Sequence, residues 1–219
     1  MGQSYPTNTD QSEILAGLHI AVLATDGVEQ AELSKPMEAL KKAGAEVDLV
    51  SLKKGSLQGW EHQEKGRKFT VDKVLSEVEA EDYDALVLPG GVANPDTLRM
   101  DEKAVAFVKS FVDAKKPIAA ICHGPWTLID AGGVRGKEMT SWPSLKTDLK
   151  NAGASWVDKS VVRSENLVTS RKPDDLPDFN REFIKLLWQT KNTEADVNKG
   201  GIDKNKLSQQ PSVAPGAQI

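Results

Sequence analysis

Four short apolar runs recur along the 219-residue chain, and helix-period stripes lie between them. The runs are LHIAVLA (18–24), AEVDLVSL (45–52), DALVLPGG (84–91) and PIAAIC (117–122). Each is too short for a helix and mostly apolar, as strands of a covered, mostly parallel sheet read. After the first run, Leu33, Met37 and Leu40 share one helix face over about 29–43, and Gly44 supplies the stop. Before the fourth, Asp101 caps a helix whose Ala104, Val105, Val108, Phe111 and Val112 form an inward stripe. Strands alternating with helices imply right-handed crossovers and a mostly parallel sheet with helices on both faces, an α/β architecture. Residues 55–71, with three glycines and short β-prone pieces, predict a hairpin-like excursion. Further on, a helix is expected over 143–152, strands near 155–157, 161–163 and 167–170, and a last helix over 177–190.

The ends of the chain read differently from its middle. Residues 1–16 are polar and aperiodic and are expected to form a loose arm; 17–190 form one domain. Residues 191–219 end in a stretch without aromatics and rich in Gly, Pro, Ser, Asn and Gln. Such a stretch cannot bury enough apolar area to offset its ordering entropy, so a disordered or draped tail is expected. The 28 basic and 32 acidic residues are interspersed, which leaves no basic patch for nucleic acid. One cysteine makes no internal disulfide, and no C-x-x-C pair offers a zinc site. The opening residues lack the order of a secretory leader, and no apolar run nears the roughly 20 residues of a membrane helix. A cytoplasmic protein without a membrane segment is the expectation.

In sheets of this kind chemistry gathers beyond the carboxyl ends of the strands. Cys122 ends the fourth run beside His123, and Gly124–Pro125 follows at once. The thiol is either an inert core group or a nucleophile at a strand-to-helix turn, where a helix amino end would favour thiolate. His123 either serves as general base, its amide helping to bind an oxyanion, or is a turn histidine bonded to backbone. Gly90–Gly91 either brings amides to a reacting carbonyl or makes a tight turn. Glu29 either closes a capping box begun by Asp26 or faces the sulfur as a proton carrier. His19 reads as a satisfied core histidine, His62 as solvated, and Trp126, Trp142, Trp156 and Trp188 as packing residues. No spacing supports a metal site built from His19, His62 and Cys122.

AICHGP, with DGVE upstream, YDALVLPGG between and TSRKPDDLPDF after it, resembles the PfpI family of the ThiJ/PfpI superfamily. The ordered set spans about 17–187. The resemblance implies a flavodoxin-like three-layer αβα sandwich with a nucleophile elbow, related to class I glutamine amidotransferase domains. By position, Cys122 is similar to the family nucleophile and Glu29 to the buried glutamate at its sulfur. His123 matches the histidine after the nucleophile, and Gly91 and the His123 amide match the oxyanion donors. Asp96, in GGVANPDTLRM, matches an acid that a neighbouring subunit brings to that histidine, which implies a homodimer or higher homo-oligomer. Relatives imply a stress-linked enzyme, without added cofactor or metal, acting on reactive dicarbonyls or their adducts on proteins and nucleotides. An intracellular cysteine peptidase or amidase is one alternative, and a redox sensor or holdase another.

Overall fold

The structure, a computed structural model, describes residues 12–199. In chain order its first half contains β1 (His19–Leu23), β2 (Val28–Glu29), α1 (Gln30–Lys42), β3 (Glu46–Ser51), β4 (Ser56–Glu61), β5 (Glu64–Thr70), β6 (Lys73–Val74) and β7 (Ala85–Leu88). Then come α2 (Ala93–Met100), α3 (Glu102–Asp113), β8 (Ile118–Ile121), α4 (Pro125–Asp130), β9 (Glu138–Met139), α5 (Lys146–Asn151), β10 (Ser155–Trp156), β11 (Val161–Ser164), β12 (Leu167–Ser170) and α6 (Leu176–Lys199).

Seven strands form the central sheet in the order β11-β12-β8-β7-β1-β3-β6, parallel throughout except for β11 at one edge. Its inner five strands, β3, β1, β7, β8 and β12, follow the flavodoxin-like order 2-1-3-4-5, whose switch point lies between β1 and β7. Side-chain alternation builds the layers. Ile20 and Val22 of β1 face a core shared with Leu33 and Leu40 of α1 and Phe179 and Phe183 of α6. Ala21 and Leu23 face the opposite core, with Phe107 and Phe111 of α3 and Leu128 of α4. Each fully buried side chain of this size contributes about 1.5–3 kcal/mol, so both faces of the strands are committed. The result is a three-layer αβα sandwich. The excursion is a true hairpin, β4 against β5, and β2 joins it in parallel to make a small second sheet.

Four details differ from the sequence expectation. The segment after Gly90–Gly91 is the helix α2 rather than a loop. Asp26 does not cap α1; its carboxylate accepts from the Gln58 amide (2.7 Å) and Lys53 (2.8 Å), and Glu29 stands at the N-cap position without a side-chain cap. Leu15, expected in the loose arm, is fully buried, and its amide donates to the Ala43 carbonyl (2.8 Å). Helix α6 continues past the expected end at 190 to Lys199, while residues 1–11 of the arm and 200–219 of the tail lie outside the described residues.

Candidate active site

Cys122 follows β8 with φ +60°, a left-handed conformation that costs a non-glycine residue about 1–3 kcal/mol. Its neighbours hold it there. The Cys122 amide donates to Ser170 O (3.1 Å), its carbonyl accepts from the Trp142 amide (3.0 Å), and the Gly124 amide closes the turn onto Ile121 O (2.8 Å). This is a nucleophile elbow in geometry: a strained residue between a strand and α4. Two glycines make room for it. A Cβ on Gly124 would collide with Leu88 O, and one on Gly90 would stand 2.6 Å from Cys122 Cβ.

The amides of Gly91 and His123 stand near the Cys122 sulfur and favour its charged form. The His123 ring turns back toward its neighbour, with Nδ1 3.2 Å from Sγ. Its other nitrogen, Nε2, lies 3.3 Å from Ser144 Oγ. Trp126 meets the ring edge-on at 5.1 Å, and Trp142 stacks on it at 6.0 Å. Burial depresses the His123 pKa, so the ring is neutral at neutral pH.

The carboxyl at the sulfur is Glu32, not Glu29. Glu32 is 0% exposed in the first turn of α1; its Oε2 accepts from the Gly90 amide (2.9 Å), and its remaining interaction is with the Cys122 thiol. Oε1 has no conventional hydrogen-bond partner of its own among the described residues. Burial, with a further contribution from the Glu29 charge, pushes the Glu32 carboxyl up to about 8, and it holds its proton at neutral pH. Glu29 instead accepts from the His62 amide through Oε2 (2.9 Å), tying the β4–β5 hairpin tip to the site.

The expected helix-lowered thiol is corrected as well. Cys122 is only 7% exposed, and burial is the largest influence, pushing the thiol up. A charged Glu32 would push it further, while the Gly91 and His123 amides pull it down. Helix α4 has six residues, too few to offset the desolvation. At neutral pH both groups therefore hold their protons, and Glu32 is the first of the two to lose its own as pH rises.

These residues open on a cleft of about 580 Å³ at the carboxyl ends of the strands. Glu29, His62, Gln63, Val92, Trp142, Lys172 and Asp174 complete its walls around Cys122, His123, Glu32 and Gly91. Trp142 is 40% exposed and belongs to the cleft rather than to packing alone. His62 is exposed at the hairpin tip, as expected, yet the tip borders the cleft. His19 stands apart, half-buried, with Nε2 3.0 Å from Asp48 and Nδ1 3.1 Å from Asp82 O. Asp96 is exposed on α2 and does not line the cleft of its own chain. Among the described residues no group of three or more His, Cys, Asp or Glu side chains is placed to hold a metal ion, and no helix is long and apolar enough to cross a membrane.

The chain is 48% identical over 168 residues to YraA of Bacillus subtilis, which carries a cysteine-protease name, covering 77% of this chain and 97% of that protein. It is 45% identical over 173 residues to protein/nucleic acid deglycase 2 of Escherichia coli, covering 77% and 96%. The crystal structure of Drosophila melanogaster DJ-1beta superposes with a TM-score of 0.71 at 30% identity, covering 84% of this chain and 96% of that one. Residues 18–186 match the DJ-1/PfpI family, and the chain belongs to it.

Proposed function

We propose that this protein is a cysteine-dependent enzyme acting on reactive dicarbonyls, or on the adducts they leave on proteins and nucleotides. One observation carries the reading: a strained, cleft-facing sulfur meets two backbone amides, a neutral imidazole and a proton-bearing carboxyl at once. With a 2-oxoaldehyde, the sulfur adds to the aldehyde carbon and the thiol proton passes to His123 Nδ1. The carbonyl oxygen takes up the electron pair, is held by the Gly91 and His123 amides, and takes that proton from His123 to complete a hemithioacetal, which leaves the ring neutral again. His123 then moves a proton from the former aldehyde carbon toward the adjacent one, which converts the adduct to a thioester. Water releases a 2-hydroxy acid and restores the thiol. Glu32, donating its proton toward sulfur, stabilises negative charge there without adding any of its own.

The protease-named relative supports a second reading, hydrolysis of an amide by the same residues. That reaction asks for protonation of a poor leaving group, and His123, once protonated, is the group in reach. Purified protein given methylglyoxal in one arm and a fluorogenic peptide in the other separates the two. Lactate that depends on Cys122 supports the first reading; Cys122-dependent peptide cleavage without lactate reverses the order.

The role of Asp96 belongs to an assembly. Helix α2 presents Asp96, and Val92 and Met100 stand 58% and 81% exposed at its two ends, a surface suited to a second copy. In such an oligomer, Asp96 of one copy approaches His123 of the other and favours its protonated form during turnover.

A further inference from the structure

We propose that Ser144 is a positioning residue that orients the His123 imidazole from within the same chain. The inference rests on the reading of Cys122 and His123 as nucleophile and base. His123 Nδ1 faces the sulfur at 3.2 Å, and Ser144 Oγ faces Nε2 at 3.3 Å, so the two contacts lie on the two nitrogens of one ring. For Nδ1 to receive the thiol proton it must present a lone pair, so the neutral ring must carry its hydrogen on Nε2. A hydroxyl oxygen accepting from Nε2–H stabilises that tautomer and the rotamer that aims Nδ1 at sulfur.

The serine is itself fixed relative to the nucleophile. It lies on the short helical turn Pro143–Leu145, whose Leu145 is fully buried and whose Leu145 amide donates to Trp142 O (3.1 Å). The Trp142 amide in turn donates to the carbonyl of Cys122 (3.0 Å). One short backbone segment thus ties the acceptor for Nε2, the stacked indole and the elbow together. Burial is what shifts the titration of His123, and no carboxylate among the described residues offsets it. The Ser144 contact matters most when the ring becomes charged, because an acceptor binds an imidazolium N–H more strongly than a neutral one.

The test uses the full-length protein and two measurements that need no substrate. The first is the rate of Cys122 alkylation by iodoacetamide against pH. The second is the titration of His123 followed through its ring nitrogens by NMR. Ser144→Ala is expected to slow alkylation at pH 7 about three- to tenfold and to move the His123 midpoint to lower pH. Ser144→Thr, which keeps the hydroxyl, is expected to match the unsubstituted protein in both. With methylglyoxal, Ser144→Ala is expected to lower kcat at unchanged KM. Unchanged alkylation and His123 titration in Ser144→Ala overturn the proposal. So does a His123 midpoint that moves in Asp96→Ala and not in Ser144→Ala, because the orienting partner is then the acid of a second copy. Failure of every carbonyl substrate, by contrast, refutes the proposed activity while the alkylation and NMR results still decide the role of Ser144.

Discussion

Glu32 and Cys122 meet in the buried corner of the cleft where, among the described residues, no cation acts to balance a charge on either. The consequence is a proton held by the carboxyl. It sits where a hydrogen-bond donor, and not a second negative charge, faces the sulfur. Several measurable outcomes depend on this arrangement.

The first concerns stability against pH. Glu32 binds its proton more tightly in the folded protein than in the unfolded chain, since its pKa rises from 4.5 to about 8. Its contribution is complete below about pH 4.5 and is lost as pH rises through about 8, at about 1.4 kcal/mol per pH unit inside that window. Glu32→Gln, neutral at every pH, removes that dependence. Chemical denaturation from pH 4 to 9 is expected to show the unsubstituted protein losing stability relative to Glu32→Gln across this range; parallel curves refute a proton on Glu32.

Glu29 acts on the same proton from a distance. Its charge helps to raise the Glu32 pKa, so Glu29→Gln is expected to move the alkaline limb of the activity profile to lower pH. The same substitution weakens the tether to the His62 amide and is expected to raise KM. An unshifted alkaline limb contradicts the coupling.

A third outcome follows from crowding at the elbow. Gly90→Ala places a methyl group 2.6 Å from both Cys122 Cβ and Glu32 Oε2 and 2.9 Å from the His123 amide. Overpacking of this kind costs about 1–3 kcal/mol, and here it also displaces the reacting groups. Denaturation midpoint and turnover are expected to fall together. Full activity in Gly90→Ala refutes the close fit.

The fourth concerns assembly. Asp96→Ala is expected to lower turnover while leaving the fold intact, because the side chain is exposed and outside the core. Sedimentation measured beside kinetics decides the matter: unchanged kcat in an oligomeric Asp96→Ala protein contradicts a role across subunits.

Much of this arrangement is legible in the order of residues alone. The alternation of buried runs with helical stripes specifies the sheet, and the lone thiol at the end of PIAAIC marks the elbow. Glu32 is harder to find, since the resemblance puts the glutamate at the sulfur at Glu29, the last residue of DGVE. The signal lies in the stripe: Glu32 shares the buried face of α1 with Leu33, Pro36 and Leu40, and an acid on such a face asks for an explanation. Helix α2 reads as a loop because ANPDTLRM combines Asn, Pro and Asp, whose preferences favour turns, and packing overrides them. The upward shift of the thiol is legible only through one of the two readings of Cys122, the buried core group. It depends on how deeply the sulfur is buried and on the acid of α1 beside it.

The most direct test is to mix the protein with methylglyoxal, quench at early times, and map covalent mass on the digested chain while lactate is assayed in parallel. The account predicts a transient adduct on Cys122, lactate formed in step with its decay, and loss of both in Cys122→Ala. Lactate released at an undiminished rate by Cys122→Ala contradicts it.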